Sequence, residues 1–341
     1  MCGRTACTLD PEEVSRASRY RNRHGQHRQP RWRDGDADKY RPSYNKSPQS
    51  FSPVLLSQRH FDKDASVDEC VVAAMRWGLI PSWFRENDPR KMQYSTNNCR
   101  SESLLDKKSY KDPFLKGQRC VILADGFYEW RRQGKERQPF FIYFPQSQSD
   151  SGLGEEERDE NDDGETDKWT GWRLLTIAGL FDCWKPPGGE EPIYTYTVIT
   201  VDASPNLQNI HNRMPAVLDG EDDVRRWLDF GEVKSLDALK LLQPTNLLTF
   251  HPVSFLVNNS RNNSPECLQP VDLQAKKEPK PTASSKMMMS WLKDSSSSKR
   301  KEPGTCDATT HKQQPKAKED HKSSGPLQHW LQSTSKKARI N

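Results

Sequence analysis

The sequence predicts an α+β domain around a curved, mostly antiparallel sheet, followed by an unstructured basic tail. Short apolar runs rich in Val, Ile, Thr and aromatic residues recur between turn residues, which is typical of strands. Helical patterns are few, and many strands with few helices favour this fold class. Hydrophobic residues make up only 33% of the 341 residues and charged residues 29%, so part of the chain is expected to remain unfolded.

Five runs are predicted to be strands: "VVAAMRWGLI", "CVILADGFYEW", "PFFIYF", "LLTIAGLFDCW" and "YTYTVITVDA". Three shorter patterns predict helices: "PEEVSRASRY", "GEDDVRRWLDFG" and "SLDALKLLQ". The second helix opens with acidic residues in its first turn, where the positive end of the helix dipole favours them.

Polar composition divides the chain. We expect one domain over residues 1–271, with mobile insertions at about 21–39 and 147–168, and a disordered tail over 272–341. Residues 150–168 carry 10 acids against 2 bases, whereas residues 273–341 carry 15 Lys and Arg against 6 acids. A basic tail of this kind often contacts nucleic acid.

Several classes of protein are disfavoured. No stretch approaches 18 apolar residues, and the N-terminus lacks the apolar core of a signal peptide. The eight cysteines include no CxxC pair, so reduced intracellular thiols are expected and neither a metal nor a cofactor is predicted. A membrane partner is not expected, and the protein is predicted to be a monomer.

The chain begins "MCGRTACTL", with Cys2 directly after the initiator methionine. Removal of Met1 would leave Cys2 with a free α-amine beside its thiol. An α-amine has a pKa of about 7.7–8.0, so a useful fraction is nucleophilic at neutral pH. The amine can form an imine with an aldehyde, and the thiol can then close a five-membered thiazolidine ring in an intramolecular step.

Three further motifs carry residues suited to proton transfer or phosphate binding. Asn98 and Arg100 lie in "STNNCRSE", Glu129 lies among aromatics in "LADGFYEW", and His211 and Arg213 lie in "QNIHNRMPAVL". A glutamate among apolar rings has a raised pKa, and histidine titrates near neutral pH. Arginine offers a planar fork for phosphate.

These motifs, with "YRPSYNKSP", "MRWGLIPSW", "TIAGLFDCW", "VITVDAS" and "HPVSFLVNNS", resemble the SRAP family in their order along the chain. The family was first described as SOS response-associated peptidases, and the resemblance covers about residues 2–260. It implies a single α+β domain with a barrel-like sheet, a basic cleft for single-stranded DNA, and covalent crosslinking to abasic sites through the N-terminal cysteine.

The resemblance also implies roles for particular residues. The implied catalytic residues are Cys2, Asn98, Glu129 and His211. The implied DNA-binding residues are Arg4 in "MCGR", Trp83, Arg100 and Arg213. "STNNCR" holds one residue more than the usual family motif, and we assign the active-site asparagine to Asn98 rather than Asn97 because Asn98 directly precedes Cys99 and Arg100.

The tail repeats a Ser-x-x-apolar-x-x-Trp-Leu pattern that is similar to sliding-clamp-binding boxes without their leading Gln. A replication clamp is therefore a candidate partner for one of two motifs, Met288, Trp291 and Leu292 or Leu327, Trp330 and Leu331. "SKRKEP" and "KKARIN" are candidate nuclear import or DNA-contact patches. We expect a nuclear protein on chromatin at replication forks.

The sequence therefore predicts a protein that crosslinks to abasic sites in single-stranded DNA and shields them, with reversal assisted by Glu129. Two alternatives remain open at this point. One is a peptidase that acts on itself through Cys2, and the other is a non-catalytic reader of DNA containing 5-hydroxymethylcytosine.

Overall fold

A computed structural model describes residues 2–92, 95–134, 136–146 and 169–274. Four α-helices lie in these residues: α1 Pro11–Ala17, α2 Lys108–Leu115, α3 Gly220–Leu228 and α4 Ser235–Leu239. The strands are β1 Thr5–Cys7, β2 Tyr20–Arg21, β3 His27–Arg28, β4 Arg31–Trp32, β5 Ser43–Lys46, β6 Phe51–Ser57, β7 Cys70–Trp77, β8 Asn98–Arg100, β9 Arg119–Ala124, β10 Gly126–Gln133, β11 Glu136–Tyr143, β12 Leu175–Trp184, β13 Ile193–Asp202, β14 Arg213–Pro215 and β15 Thr249–Pro252.

The larger sheet closes on itself. Its order is β14-β13-β12-β9-β6-β7-β4, with β8 paired to β13, and β7 also pairs in parallel with β13 at Arg76↔Thr195 and Trp77↔Tyr196. The five strands β13, β12, β9, β6 and β7 therefore form a ring whose interior holds much of the core. The fold is α+β with a curved, barrel-like sheet, as the sequence predicts.

A second sheet has the order β15-β11-β10-β1-β5, and its pairs are antiparallel. β1 pairs with β10 at Thr5↔Phe127, and the Tyr128 N–H donates to the Arg4 carbonyl oxygen at 2.9 Å. Continued in the same antiparallel register, this pairing sets Gly3 opposite Glu129. This sheet thus brings the N-terminus of the chain to the middle of β10.

Helix α1 shows how the local sequence sets an element's start. Asp10 accepts a hydrogen bond from the Glu13 N–H at 2.8 Å, and Glu13 accepts one from the Asp10 N–H at 2.9 Å. This reciprocal capping box, followed by Pro11 at the first helical position, satisfies N–H groups that the helix leaves free.

Helix α2 is absent from the sequence-based expectations. Pro113 lies inside it, and Lys107 before it provides no side-chain cap, so both usual signals of a helix are weak. Tyr110 and Phe114 bury this helix against the core. Tertiary packing therefore stabilises a segment that its local sequence disfavours.

Segment 21–39, expected to be a mobile insertion, contains regular structure. β2 and β3 pair at Tyr20↔Arg28 and Arg21↔His27, and β4 adds a parallel edge strand to β7. The carboxyl of Asp36 is fully buried, where it binds Arg33 and Lys39. Ion pairs and the packing of Trp32 against the core hold this regular structure, which the polar composition of the segment did not indicate.

Insertion 147–168 and both tail motifs lie outside the described residues. No helix in the described part of the chain is long and apolar enough to span a membrane.

Candidate active site

Cys2 is fully buried at the start of the chain, and a side chain from another strand holds its backbone. The Asn98 Nδ2 donates to the Cys2 carbonyl oxygen at 2.7 Å. Pairing of β8 with β13 at Asn98↔Val198 places that asparagine, and the Tyr110 hydroxyl donates to its carbonyl oxygen at 3.1 Å. Asn98 rather than Asn97 thus contacts Cys2.

The side-chain oxygen of Asn98 is a hydrogen-bond acceptor that the described residues do not use. Its Oδ1 is buried and accepts no hydrogen bond from the described residues. A buried amide oxygen without a donor carries a desolvation cost that a bound donor would remove. An amine or hydroxyl donor brought next to Cys2 would provide that hydrogen bond.

Glu129 lies in the middle of β10, with only 4% of its surface exposed. Burial raises the pKa of this carboxyl, and the positive charge of His211 offsets part of that rise. Burial also raises the pKa of the Cys2 thiol, and the charge of Glu129 raises it further. Glu129 therefore lies within electrostatic reach of both Cys2 and His211, in a setting that keeps the thiol protonated.

The orientation of the His211 ring follows from its backbone contacts. The Arg213 N–H donates to His211 Nδ1 at 3.0 Å, and the Arg213 carbonyl oxygen lies 3.2 Å from the same nitrogen. The shorter contact, in which Nδ1 accepts, favours the neutral tautomer that carries its proton on Nε2. His211 can donate through Nε2 or, when protonated, stabilise a negative oxygen.

Arg213, expected to bind phosphate, is committed to protein partners. Its guanidinium contacts Asp202 Oδ1 at 2.7 Å, Glu102 Oε2 at 2.9 Å and the Thr200 carbonyl oxygen at 2.7 Å. Its side chain is only 7% exposed, whereas Arg100 is exposed. The structure thus places Arg213 beside His211 as a tether between strands, and leaves Arg100 available at the surface.

Arg4 is also engaged by the protein. Its Nη1 donates to Asn45 Oδ1 and to the Val257 carbonyl oxygen, both at 2.6 Å, and its guanidinium lies 5.9 Å from the ring centroid of Trp130. These contacts fix the chain two residues after Cys2. Arg4 therefore positions the N-terminus in this structure.

Trp83 is partly exposed, at 38%, with the Lys108 ammonium 5.9 Å from its ring centroid. An exposed indole beside a cation suits stacking of a nucleic acid base close to a phosphate.

Two carboxylates near His211 were missed by sequence reasoning. Glu102 and Asp202 both bind Arg213, although each lies inside a recognised motif, "STNNCRSE" or "VITVDAS". Their spacing from Arg213 in sequence gives no sign of this contact. Among the described residues, no group of three or more His, Cys, Asp or Glu side chains is arranged to hold a metal ion.

A sequence model described as "SOS response associated peptidase (SRAP)" matches residues 1–260. The chain belongs to the SRAP family. Two relatives named "Abasic site processing protein HMCES" are 59% identical in Xenopus tropicalis, covering 88% of this chain and 87% of that protein, and 58% identical in Mus musculus, covering 86% and 82%. "Abasic site processing protein YoqW" of Bacillus subtilis is 32% identical and covers 67% of this chain and 87% of that protein.

Solved structures share the SRAP fold at low sequence identity. A Bacteroides thetaiotaomicron protein has a TM-score of 0.58 at 23% identity, covering 80% of this chain and 100% of that one. A Bordetella bronchiseptica protein has a TM-score of 0.52 at 20% identity, with 74% and 100% covered.

Proposed function

We propose that this protein processes abasic sites in single-stranded DNA by forming a covalent crosslink through Cys2 once Met1 is removed. The observation that carries the proposal is the hydrogen bond from Asn98 to Cys2, with Glu129 in electrostatic reach of the Cys2 thiol and His211 in electrostatic reach of Glu129. The names of the relatives, which describe abasic site processing in animals and bacteria, support the choice of substrate.

The order of bond formation follows from the state of the thiol. Because burial and Glu129 keep the Cys2 thiol protonated, the α-amine is the first nucleophile to attack the open-chain aldehyde. The carbinolamine then loses water to give an imine. The sulfur adds to the imine carbon, the thiol proton passes to nitrogen, and a thiazolidine ring results.

Three side chains have assigned roles in these steps. Glu129, whose pKa burial raises, donates the proton that carbinolamine dehydration needs and assists the reverse reaction. His211 Nε2 hydrogen-bonds the sugar oxygen during ring opening. The unpartnered Asn98 Oδ1 accepts a hydrogen bond from the amine or the sugar.

The thiazolidine protects the DNA strand. An imine acidifies the adjacent sugar C–H and promotes β-elimination, which breaks the strand, and ring closure removes that electron sink. Arg100 and Trp83 bind the strand through phosphate and base without reading its sequence. A nuclear location on chromatin at replication forks, where single strands are exposed, fits this role.

The test is incubation of the processed protein with an abasic oligonucleotide, followed by a denaturing gel. The proposal predicts a shifted band that persists under denaturation and is absent for an intact oligonucleotide. Cleavage of the protein without such a band would favour the peptidase alternative. Binding without a band, selective for 5-hydroxymethylcytosine, would favour the reader.

The domain division belongs to the same proposal. Residues 1–271 are proposed to carry crosslinking, and the 272–341 tail to bind a replication clamp through one of its two motifs. A chain ending at residue 271 should retain the shifted band. Loss of the band in that folded fragment would contradict the division.

A further inference from the structure

A cavity of about 290 Å³ opens at the carboxyl end of β7, outside the group of residues around Cys2. Its lining includes Gln49, Arg76, Gly78, Thr96 and Asn97. This volume is close to the lower end of the range for sites that bind small organic molecules, which is about 300–1,000 Å³.

Arg76 is an unpaired cation in this cavity. Its side chain is half-buried and, within the described ranges, forms neither an ion pair nor a side-chain hydrogen bond. Burial alone lowers its pKa, with no carboxylate opposing that effect. Arg213, by contrast, is held by two carboxylates. A half-buried guanidinium without an anion is poorly solvated, and an entering phosphate would correct that.

Asn97 provides a second free polar group. Its side-chain amide forms no hydrogen bond with the described residues and lies against Gly78, where an added Cβ would sit 3.0 Å from Asn97 Oδ1. Trp77 Nε1 and the Val198 N–H both donate to the Asn97 carbonyl oxygen, at 2.9 and 3.1 Å. The backbone is therefore fixed while the amide remains available to a ligand.

The lining backbone at Gln49 is also held by hydrogen bonds. Gln49 adopts a φ of +77°, in the left-handed region, at the turn before β6. Its N–H donates to the Trp77 carbonyl oxygen at 2.8 Å, and the Trp77 N–H donates to the Ser50 carbonyl oxygen at 3.0 Å. The cavity is thus preformed rather than dependent on rearrangement.

The cavity adjoins the residues around Cys2 along the chain. Asn97 directly precedes Asn98, and consecutive Cα atoms lie about 3.8 Å apart. Asn98 contacts Cys2, whereas Asn97 lines the cavity. The pair of asparagines therefore connects the crosslinking cysteine to a preformed cavity that contains a free cation.

We propose that this cavity binds the nucleotide next to the abasic sugar, with Arg76 on its phosphate and the Asn97 amide on its base. The inference rests on the proposed function and adds a subsite to it. It makes Arg76 a positioning residue that holds the strand while the aldehyde meets the Cys2 amine.

The experiment scans an abasic oligonucleotide with single uncharged methylphosphonate linkages, one position at a time. Binding and the initial adduct rate are measured for wild type, Arg76→Gln and the exposed control Arg261→Gln, after melting curves establish that each variant is folded. Arg76→Gln should weaken binding about tenfold and reduce the slope of log K against log salt by about 0.7, as expected for one phosphate contact on a single strand. Arg261→Gln should match wild type.

The decisive result is the pattern of coupling. One methylphosphonate next to the abasic site should weaken wild-type binding as much as Arg76→Gln does, and should have no further effect on that variant. Equal losses for both proteins at every linkage would overturn the subsite, as would unchanged binding by Arg76→Gln. Failure of the proposed function is distinguishable, because wild type would then form no adduct with any oligonucleotide.

Discussion

Two cysteine–carboxyl pairs flank the same short strand. Cys2 precedes β1 and interacts with Glu129 of β10, whereas Cys7 ends β1 and interacts with Asp125, just before β10. Both thiols are buried, and burial raises the pKa of each, that of Cys7 to about 12. Burial likewise raises the pKa of both carboxyls, that of Asp125 to about 6.

The difference lies in what surrounds each pair. The Tyr40 hydroxyl donates to the Cys7 sulfur at 3.1 Å, and the Thr8 N–H and hydroxyl donate to Asp125 Oδ2 at 2.8 and 2.7 Å. The nitrogen of Cys7 is an internal amide, whereas that of Cys2 becomes an amine when Met1 is removed. Both thiols thus lie beside a carboxyl of raised pKa, and the two pairs differ in the nitrogen next to the thiol, on which the proposed crosslinking depends.

The largest expected effect comes from removing that amine. Extra residues fused before Cys2 should abolish the adduct while DNA binding remains near wild type, because the amine becomes a peptide amide. Cys7→Ala is the matched control and should form adduct at close to the wild-type rate. A denaturing gel measures both. A normal adduct yield from the extended protein, with mass spectrometry showing the extension intact, would refute ring closure at Cys2.

Replacing the two carboxyls should change the rate of adduct formation unequally, and by less than removal of the amine does. Glu129→Gln should slow adduct formation about 10²-fold, the usual contribution of a general acid, whereas Asp125→Asn should change the rate less than about threefold. Single-turnover kinetics with abasic oligonucleotide measure both. A slow Asp125→Asn variant would mean that the two pairs are functionally linked.

Reversal of the crosslink is a second test of the proton-transfer role proposed for Glu129. By microscopic reversibility, a preformed Glu129→Gln adduct should also release its DNA slowly when competing abasic DNA is added. Release at the wild-type rate would move the proton-transfer role to His211.

Adduct formation should depend on pH through the same two groups. The reaction needs an unprotonated amine, with a pKa of about 7.7–8.0, and a protonated Glu129, whose pKa is raised by burial. Two such requirements give a bell-shaped profile. Glu129→Gln should lose the fall at high pH, so that its rate rises through the amine pKa to a plateau. Initial rates between pH 5 and 9 test this, and a bell retained in the variant would contradict it.

The sequence shows which chemical groups the site contains better than it shows how those groups pack. Cys2, Glu129 and His211 stand in local motifs whose residue types limit what they can do. The engagement of Arg213 by Glu102 and Asp202 depends on pairing between β13 and β14, which no local pattern encodes. The order of motifs along the chain therefore does not show which charged side chains already form ion pairs within the protein.

The same limit applies to the fold. β7, β12 and β13 are evident because strands buried on both faces are rich in aliphatic, aromatic and β-branched residues. The single run "CVILADGFYEW" instead divides at Asp125 into β9 and β10, which belong to different sheets. Parallel closure of the ring between β7 and β13 joins residues more than a hundred positions apart, beyond the reach of periodicity.

Arg100 and Arg213 differ in a similar way, because Arg100 is exposed whereas Arg213 is held by two carboxylates. Arg100→Ala should weaken binding of single-stranded DNA about tenfold regardless of sequence and flatten its salt dependence, because an exposed cation contacts phosphate. Arg213→Ala should instead lower the free energy of unfolding, by about 1.5–3 kcal/mol, since it removes charge-assisted hydrogen bonds to Asp202 and Glu102. Fluorescence anisotropy and urea melts separate the two effects. Equal stability of both variants would show that Arg213 is not a structural tether.

The smallest expected effect tests whether the Cys7 pair is only structural. The pKa of Asp125 rises from 3.8 to about 6 on folding, mainly because of burial and despite its hydrogen bonds from Thr8. The folded state therefore binds more protons than the unfolded state between about pH 4 and 6, so the stability of wild type falls as the pH rises through that window. The cost is absent below pH 4 and fully present above pH 6.

Asp125→Asn removes that charge while leaving an oxygen to accept from Thr8 and adding an N–H₂ where Oδ1 has no partner. The full shift corresponds to about 3 kcal/mol, and weaker hydrogen bonds to a neutral amide together with the buried, unpartnered N–H₂ reduce the expected gain to about 1 kcal/mol. The melting temperature at pH 7.5 should therefore rise by a few degrees, with the gain shrinking towards pH 4.5. A gain that is independent of pH would show that Asp125 is protonated at neutral pH. A loss of stability at pH 7.5 would show that its charge supports β1, and that the two cysteine–carboxyl pairs are less different than their surroundings indicate.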